Sequence, residues 1–393
     1  MNTSELLQII SRDEDSMHQF KANANNELSL AQEIIAFSNT LGGMLIIGVS
    51  DNGTISGLDR KDMGRLSNLI SNAASQQVKP PINPITENIL LPDGLVMVVY
   101  IAKGIAKPYM DKNGVIWVKS GADKRKATAR EEIQRMYQSA GLLHGDEIAV
   151  PSMTIDTINL RVFSEFYKKQ YDELLEDQDL SIEQIINNLN LGADGVLNIA
   201  GALLFANNTA LRLPAFIVKC VTFPGVDIDV DNYIDSQDIS GTLKDVFDDT
   251  LGFILRNIRR EQKNQGVNSL GELAIPKIVF EELIANALIH RDYFISAPVK
   301  VFVFFDRIEI ISPGHLPNNL TIENIKNGNS NIRNPVLASF ATRILPYRGL
   351  GSGIRRALKV YKNIEFFDDR DANRFIVRIK VPAPVLHHPD GQQ

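Results

Sequence analysis

The stretch from Glu27 to Gly53 constrains this chain more than any other. Leu28, Leu30, Ile34, Ile35 and Phe37 recur at the spacing of an amphipathic helix. Asn39-Thr40-Leu41-Gly42-Gly43 stops that helix, and Met44 to Val49 then reads as a buried strand. Asp51-Asn52-Gly53 is a tight turn leading toward a second strand. A helix that gives way to a strand across paired glycines demands an α+β domain. The glycines serve either a tight turn or a close backbone approach to a ligand, and both readings stay open. Met63–Ala74 and Arg130–Gly141 read as helices, and Val96–Ile101 and Val115–Lys119 as strands. Residues 1–142 are therefore expected to form one α+β domain.

At 393 residues the chain is too long for one ordinary core, so two or three domains are expected. Leu143–Ser152 reads as a linker opening a helical bridging segment, 143–275. Ser164–Leu204 reads as helical pieces and Ala215–Thr222 as a strand. Ile239, Leu243, Val246, Phe247, Ile254, Leu255 and Ile258 form one apolar helix face, either core or a surface for a homo-oligomer. Its basic end (Arg256, Arg259, Arg260, Lys263) either touches DNA or is simply solvated. Residues 276–385 read as a third domain: helix Pro276–His290, a hairpin of Val299–Phe305 with Arg307–Ser312, helix Ser352–Tyr361 and strand Arg374–Val381. The tail 386–393 is expected to be disordered.

Composition excludes several classes. The single cysteine, Cys220, sits in an apolar run and rules out a disulfide framework or a cysteine-rich zinc site. No run approaches a membrane span, and residues 1–20 lack a signal peptide's apolar core, so a cytoplasmic protein without membrane contact is expected. The net charge is −6, yet Lys103–Arg135 holds nine Lys/Arg against four Asp/Glu. Phosphate contacts depend on such a local patch rather than on the total.

Residues Glu14 to Gly57 resemble the Schlafen AlbA_2 family. The match lies in Phe20-Lys21, Ala36 through Gly53 and Ile55-Ser56-Gly57, and more loosely in Lys107-Pro108-Tyr109 and Val118–Ala122. The resemblance implies nucleic-acid binding, DNA more than RNA. Lys21, Lys119, Ser120, Lys124, Arg125 and Lys126 are the candidate phosphate-contacting residues. A solvated charged loop is the competing reading of this segment, and Trp117 reads as core rather than a base-stacking platform. Some relatives are metal-dependent ribonucleases with clustered carboxylates. Glu14 matches their first carboxylate, Gln19 stands at the second, and Asp51 or a neighbour is the candidate third. A Gln amide offers a hard cation only a neutral oxygen, which weighs against cleavage.

Residues 276–381 resemble the C-terminal, ATPase-like domain of bacterial transcriptional regulators labelled RecG-like. The match runs through Glu281–Tyr293, Asp306–Pro317, Arg333-Asn334-Pro335 and Gly349-Leu350-Gly351-Ser352-Gly353-Ile354. The region is similar to a GHKL (Bergerat) α/β sandwich. Glu282 and Asn286, at i and i+4, share one helix face. In that fold Asn286 holds Mg²⁺ through the nucleotide's phosphates and Glu282 activates water. Gly314, Gly349, Gly351 and Gly353 are the further candidate nucleotide-binding residues, with ATP and Mg²⁺ the implied cofactors. The loop Ile311-Ser312-Pro313-Gly314 lacks the aspartate with which true ATPases read adenine. His290 and Arg291 read as cations meeting the helix dipole, or as a phosphate contact. No Gly-x-x-x-x-Gly-Lys-Ser/Thr occurs, so the chain has no P-loop motor and is not a helicase.

Two function classes follow. One is a nucleic-acid-binding transcriptional regulator with a degenerate nucleotide-binding domain. The other is a Mg²⁺- or Mn²⁺-dependent nuclease of Schlafen type, acting in phage defence or stress with Glu14 and Asp51 as candidate catalytic carboxylates, while Glu282 is the candidate for a weak ATPase.

Overall fold

The computed structural model describes residues 1–229, 231–261, 272–317 and 320–382. Lys263 and the expected disordered tail 386–393 lie outside the described residues. The class is α+β, and the chain divides into two compact units, Met1–Leu143 and His144–Gln393.

In the first unit, helix α1 (Thr3–Ile10) precedes strand β1 (His18–Lys21) and helix α2 (Glu27–Asn39). Strand β2 (Gly43–Ile47), helix α3 (Arg60–Asn72) and strands β3 (Ile85–Leu91) and β4 (Gly94–Ile101) follow. Asn26 starts α2 by accepting from the Leu28 and Ser29 amides, and Leu30, Ile34, Ile35 and Phe37 are then buried. The sheet order is β1-β2-β4-β3, with β1 parallel to β2 and the other pairs antiparallel.

The strand expected after Asp51-Asn52-Gly53 reduces to a single bridge, Val49 to Ile55. Gly57 and the start of α3 end that run, and β2 pairs instead with the longer strand β4, Leu45 opposite Val99. Gly42 has φ +79, and a Cβ there would lie 2.7 Å from the Lys103 amide nitrogen and 2.8 Å from the Ile101 carbonyl. The turn reading thus accounts for this glycine, because protein backbone fills the space. Strands β5 (Trp117–Ser120) and β6 (Asp123–Lys126) form a separate hairpin, followed by helix α4 (Arg130–Ser139).

In the second unit, strand β7 (Ala149–Thr154), helices α5 (Leu160–Tyr171) and α6 (Ile182–Asn188), and strands β8 (Gly192–Ala193) and β9 (Val196–Asn198) come first. Their sheet has the order β8-β9-β7, and the buried helix α7 (Ile199–Phe205) follows. Strands β10 (Val218–Thr222) and β11 (Asp235–Ile239) precede helices α8 (Leu243–Asn257) and α9 (Lys277–His290). Strands β12 (Val299–Val303) and β13 (Arg307–Pro313), helices α10 (Pro335–Ile344) and α11 (Gly353–Val360), and strands β14 (Ile364–Asp369) and β15 (Arg374–Lys380) follow.

One six-stranded sheet runs β11-β10-β12-β13-β15-β14, with β10 and β12 parallel and Cys220 opposite Val301. Segment 143–275, read from sequence as a helical bridge, therefore also supplies two strands to the sheet of the downstream residues. The cause is β10, whose alternating buried residues can only be covered by joining a sheet. The apolar face of α8 is core: Val246, Phe247, Leu251 and Ile254 are buried, and the helix packs on α9. Cys220 is fully buried, which pushes its thiol up to about 12. Among the described residues no helix is long and apolar enough to cross a membrane.

One buried carboxylate ties the start of this unit to its interior. Asp146 has no exposed surface, and its Oδ2 accepts the Leu337 amide at 2.9 Å, in the first turn of α10. Burial pushes its carboxyl up to about 6. The folded state thus holds this proton more tightly than the unfolded chain does. The resulting stabilisation is complete below the unfolded value and is lost as pH rises through about 6. Relative to Asp146→Asn, the wild-type chain should be about 2 kcal/mol more stable at pH 4.5 than at pH 7.5. Urea unfolding of both proteins at the two pH values measures the difference, and parallel curves would show that Asp146 does not titrate in this range.

Candidate functional site

Helix α9 is apolar on nearly every side, with Val279, Phe280, Leu283, Ile284, Ala285, Leu288 and Ile289 all buried. Past the solvent-facing Lys277–Glu281 pair at its start, its polar residues Glu282, Asn286 and His290 stand four residues apart and form one polar stripe. All three line an open cleft whose empty space, solvent mouth included, is about 1000 Å³. Gly314, Gly349, Gly351 and Gly353 line the same cleft. The segments singled out in the sequence, some 70 residues apart, are thus brought together around one cleft. Ile310, Leu316, Phe366, Phe375 and Val377 give the cleft its apolar part.

The polar atoms are specifically engaged. Glu282 is 2% exposed, and its Oε1 pairs with Arg356 Nη1 at 2.7 Å. Burial raises its carboxyl above the usual range, opposed by the charges of Arg356 and Arg348. The Asn286 side-chain amide donates to the Glu282 carbonyl at 2.6 Å, leaving its oxygen as the group able to ligate a cation. A Cβ on Gly353 would collide with Glu282 Oε2, so the start of α11 lies directly against α9. Backbone amides there can meet an anion. The residues fit Mg²⁺-nucleotide chemistry in this respect: a cradle that only glycine permits, beside an amide oxygen.

Two sequence readings change here. His290 does not meet the helix end as a cation: burial, with the charge of Arg333, lowers it to about 4, so its ring is neutral at physiological pH. Its Nε2 lies 3.1 Å from the Tyr347 hydroxyl. Arg291, 2% exposed, is also no surface phosphate contact. It donates to the Ile295 and Ala297 carbonyls and lies against the rings of Phe216 and Tyr293. Ser312, in the loop that lacks the adenine-reading aspartate, donates to the Ala287 carbonyl at 3.1 Å. Sequence reasoning missed Tyr347 as a cleft residue and gave His290 only as a helix-end cation or a phosphate contact. The i+8 spacing from Glu282 was the available signal for His290, whereas nothing local pointed to Tyr347.

In the first unit the candidate residues fall into two sets. Lys119 is 7% exposed and donates to Gln19 Oε1 at 2.6 Å and to the Ala122 carbonyl, above the Phe37 ring. Its burial holds the ammonium below the usual lysine range. Gln19 Nε2 in turn donates to Glu14 Oε1, which also accepts the Phe20 amide at 2.6 Å. Lys124 pairs at 2.6 Å with the buried Glu33, and Lys21 stands 3.8 Å from the same oxygen. Lys21, Lys119 and Lys124 thus serve an internal network rather than an open phosphate-binding face.

Ser120, Arg125 and Lys126 are exposed, with Arg125 forked onto Glu132 and Lys126 5.6 Å above the Trp117 ring. Trp117 is itself partly buried and donates to Asp111 Oδ2. Asp51 lies exposed in its turn. Among the described residues no three His, Cys, Asp or Glu side chains gather as a metal site.

Two domain types define the class. Residues 14–128 match the Schlafen AlbA_2 family, and residues 296–373 match HATPase_c_4, described as "Putative ATP-dependent DNA helicase recG C-terminal". The protein therefore carries a Schlafen AlbA_2 domain and a RecG C-terminal, GHKL-like ATPase-type domain in one chain. No curated protein matches it. Among solved structures it is similar to the DIP2311 protein from Corynebacterium diphtheriae, at 19% identity and TM-score 0.45, covering 98% of this chain and 80% of that one. It is also similar to the N-terminal domain of a RecG-related protein from Nitrosomonas europaea, at 18% identity and TM-score 0.24, covering 33% of this chain and 96% of that one.

Gly351 tests how tightly the cleft wall is built. Its φ is +65, and a Cβ there would meet the Gly328 carbonyl oxygen. Gly351→Ala should cost about 2 kcal/mol or more and lower the melting midpoint of the second unit by several degrees. Scanning calorimetry reads the shift, and an unchanged midpoint would mean that the loop relaxes without cost.

Proposed function

We propose that this protein is a nucleic-acid-binding transcriptional regulator, acting on DNA in preference to RNA, whose second unit takes Mg²⁺-ATP as a ligand. The observation that carries the nucleotide half is the polar stripe Glu282, Asn286 and His290 facing an open cleft beside a glycine loop. Asn286 would hold the Mg²⁺, and the Gly349–Gly353 backbone would receive phosphate. A bound Mg²⁺-nucleotide supplies the charge to which this chain's own groups respond. Among the described residues the cleft's lining holds a single carboxylate, Glu282, so none of them offers a second one to accept from an exocyclic amine. Base discrimination is therefore weak in this reading.

The nucleic-acid half is supported by the two domain types and by exposed cations at Lys112, Lys126, Arg130 and Arg135. Lys124, partnered with buried Glu33, is a poor test residue, because reversing its charge would set two carboxylates together. Arg125, forked onto Glu132, is unsuitable for the same reason, and Lys112→Glu combined with Lys126→Glu is the informative variant.

Fluorescence anisotropy with labelled DNA and RNA should show tighter binding to DNA. Affinity should fall linearly on a log–log plot against salt, and the double variant should weaken it roughly tenfold or more. Each titration is run with and without Mg²⁺-ATP. Failure of the wild-type chain to bind either nucleic acid at low salt would end this reading.

A further inference from the structure

Helix α11 begins at Gly353, and the Arg356 amide donates to the Ser352 carbonyl at 2.9 Å, so Arg356 stands in its first turn. Helical side chains lean toward the N-terminus of their helix. The Arg356 guanidinium accordingly reaches back to Glu282 Oε1 at 2.7 Å, and the other carboxylate oxygen abuts Gly353. A carboxylate at the start of a helix, bonded by a first-turn arginine, occupies the place a phosphate oxygen would take. A second guanidinium, Arg348, lines the cleft immediately before the glycine loop and is exposed. Two arginines therefore bracket the loop. One of them is already occupied, and its occupant is the only carboxylate in the cleft's lining among the described residues.

We propose that Glu282 is a built-in stand-in for phosphate, and that Arg356 is a specificity-determining residue that leaves Glu282 for the terminal phosphate of a nucleoside triphosphate. This rests on the nucleotide reading of the cleft. Glu282 and the ligand compete for one guanidinium, so the ion pair sets the affinity threshold for filling the cleft. A diphosphate, one phosphate shorter, has less to offer Arg356 and leaves the pair intact. The exchange also frees the first turn of α11 from α9, which makes the position of α11 depend on the number of phosphates bound.

The test is calorimetric titration of the full chain with Mg²⁺-ATP and Mg²⁺-ADP, using wild type, Glu282→Gln, Arg356→Gln and Arg356→Lys. Removing the competing charge in Glu282→Gln should tighten ATP roughly tenfold. Arg356→Gln should weaken ATP roughly tenfold while ADP changes less than about threefold, and Arg356→Lys should fall between. Binding of ATP by Glu282→Gln alone, with none by wild type, also supports the proposal. Equal effects of Arg356→Gln on the two nucleotides, or no gain in Glu282→Gln, would overturn it and leave the nucleotide reading standing. No heat from either nucleotide in wild type and in Glu282→Gln would overturn the nucleotide reading as well. Melting curves confirm that each variant is folded, and Glu282→Gln carries the test alone if Arg356→Gln is not.

Discussion

The burial of helix α9 is the constraint on which the second unit depends. It packs on α8 and on the central strand β13, so nearly all of its surface must be apolar. Beyond the Lys277–Glu281 pair at its start, a helix enclosed in this way has no solvated face on which polar residues cost nothing. Glu282, Asn286 and His290 can be kept only where the enclosure is broken, and the break is the cleft. The same enclosure changes their chemistry: it raises the Glu282 carboxyl and keeps the His290 ring neutral. Burial here sets reactivity as well as stability.

Glu282 then binds the wall opposite. Its pairing with Arg356 and its contact with Gly353 hold α11 against α9, so one ion pair couples a cleft residue to the position of a whole helix. Taking two charges out of water is expensive, and such pairs seldom add much net stability. Their stronger effect is on arrangement: the pair fixes the Arg356 guanidinium on Glu282.

The first unit manages charge differently. Lys21, Lys119 and Lys124 converge on Glu33 and the Gln19–Glu14 pair, and the Lys119 link joins residues a hundred positions apart. In the sequence these lysines look like a basic loop, since nothing local shows that buried acceptors await them. Long lysine stems bury readily while the ammonium seeks oxygen. Gln19 takes part on both sides, donating to Glu14 and accepting from Lys119, a bridging role that a carboxylate could not fill.

Periodicity and punctuation made the local elements legible: α2 with its glycine stop, β2, α9, the β12–β13 hairpin and the glycine loop all follow from spacing and turn chemistry. Glu282 and Asn286 were legible for the same reason, since i and i+4 share a face on any α-helix. Sheet partners were not. The pairing of β10 with β12 joins residues some 80 apart, and the choice of β4 over residues 54–58 as partner to β2 depends on the length of strand each offers. Which charges are free was equally hidden, because Lys119 and Lys126 differ only in what the fold sets beside them. Local backbone chemistry is written residue by residue, whereas burial and partnership exist only once distant segments share a core.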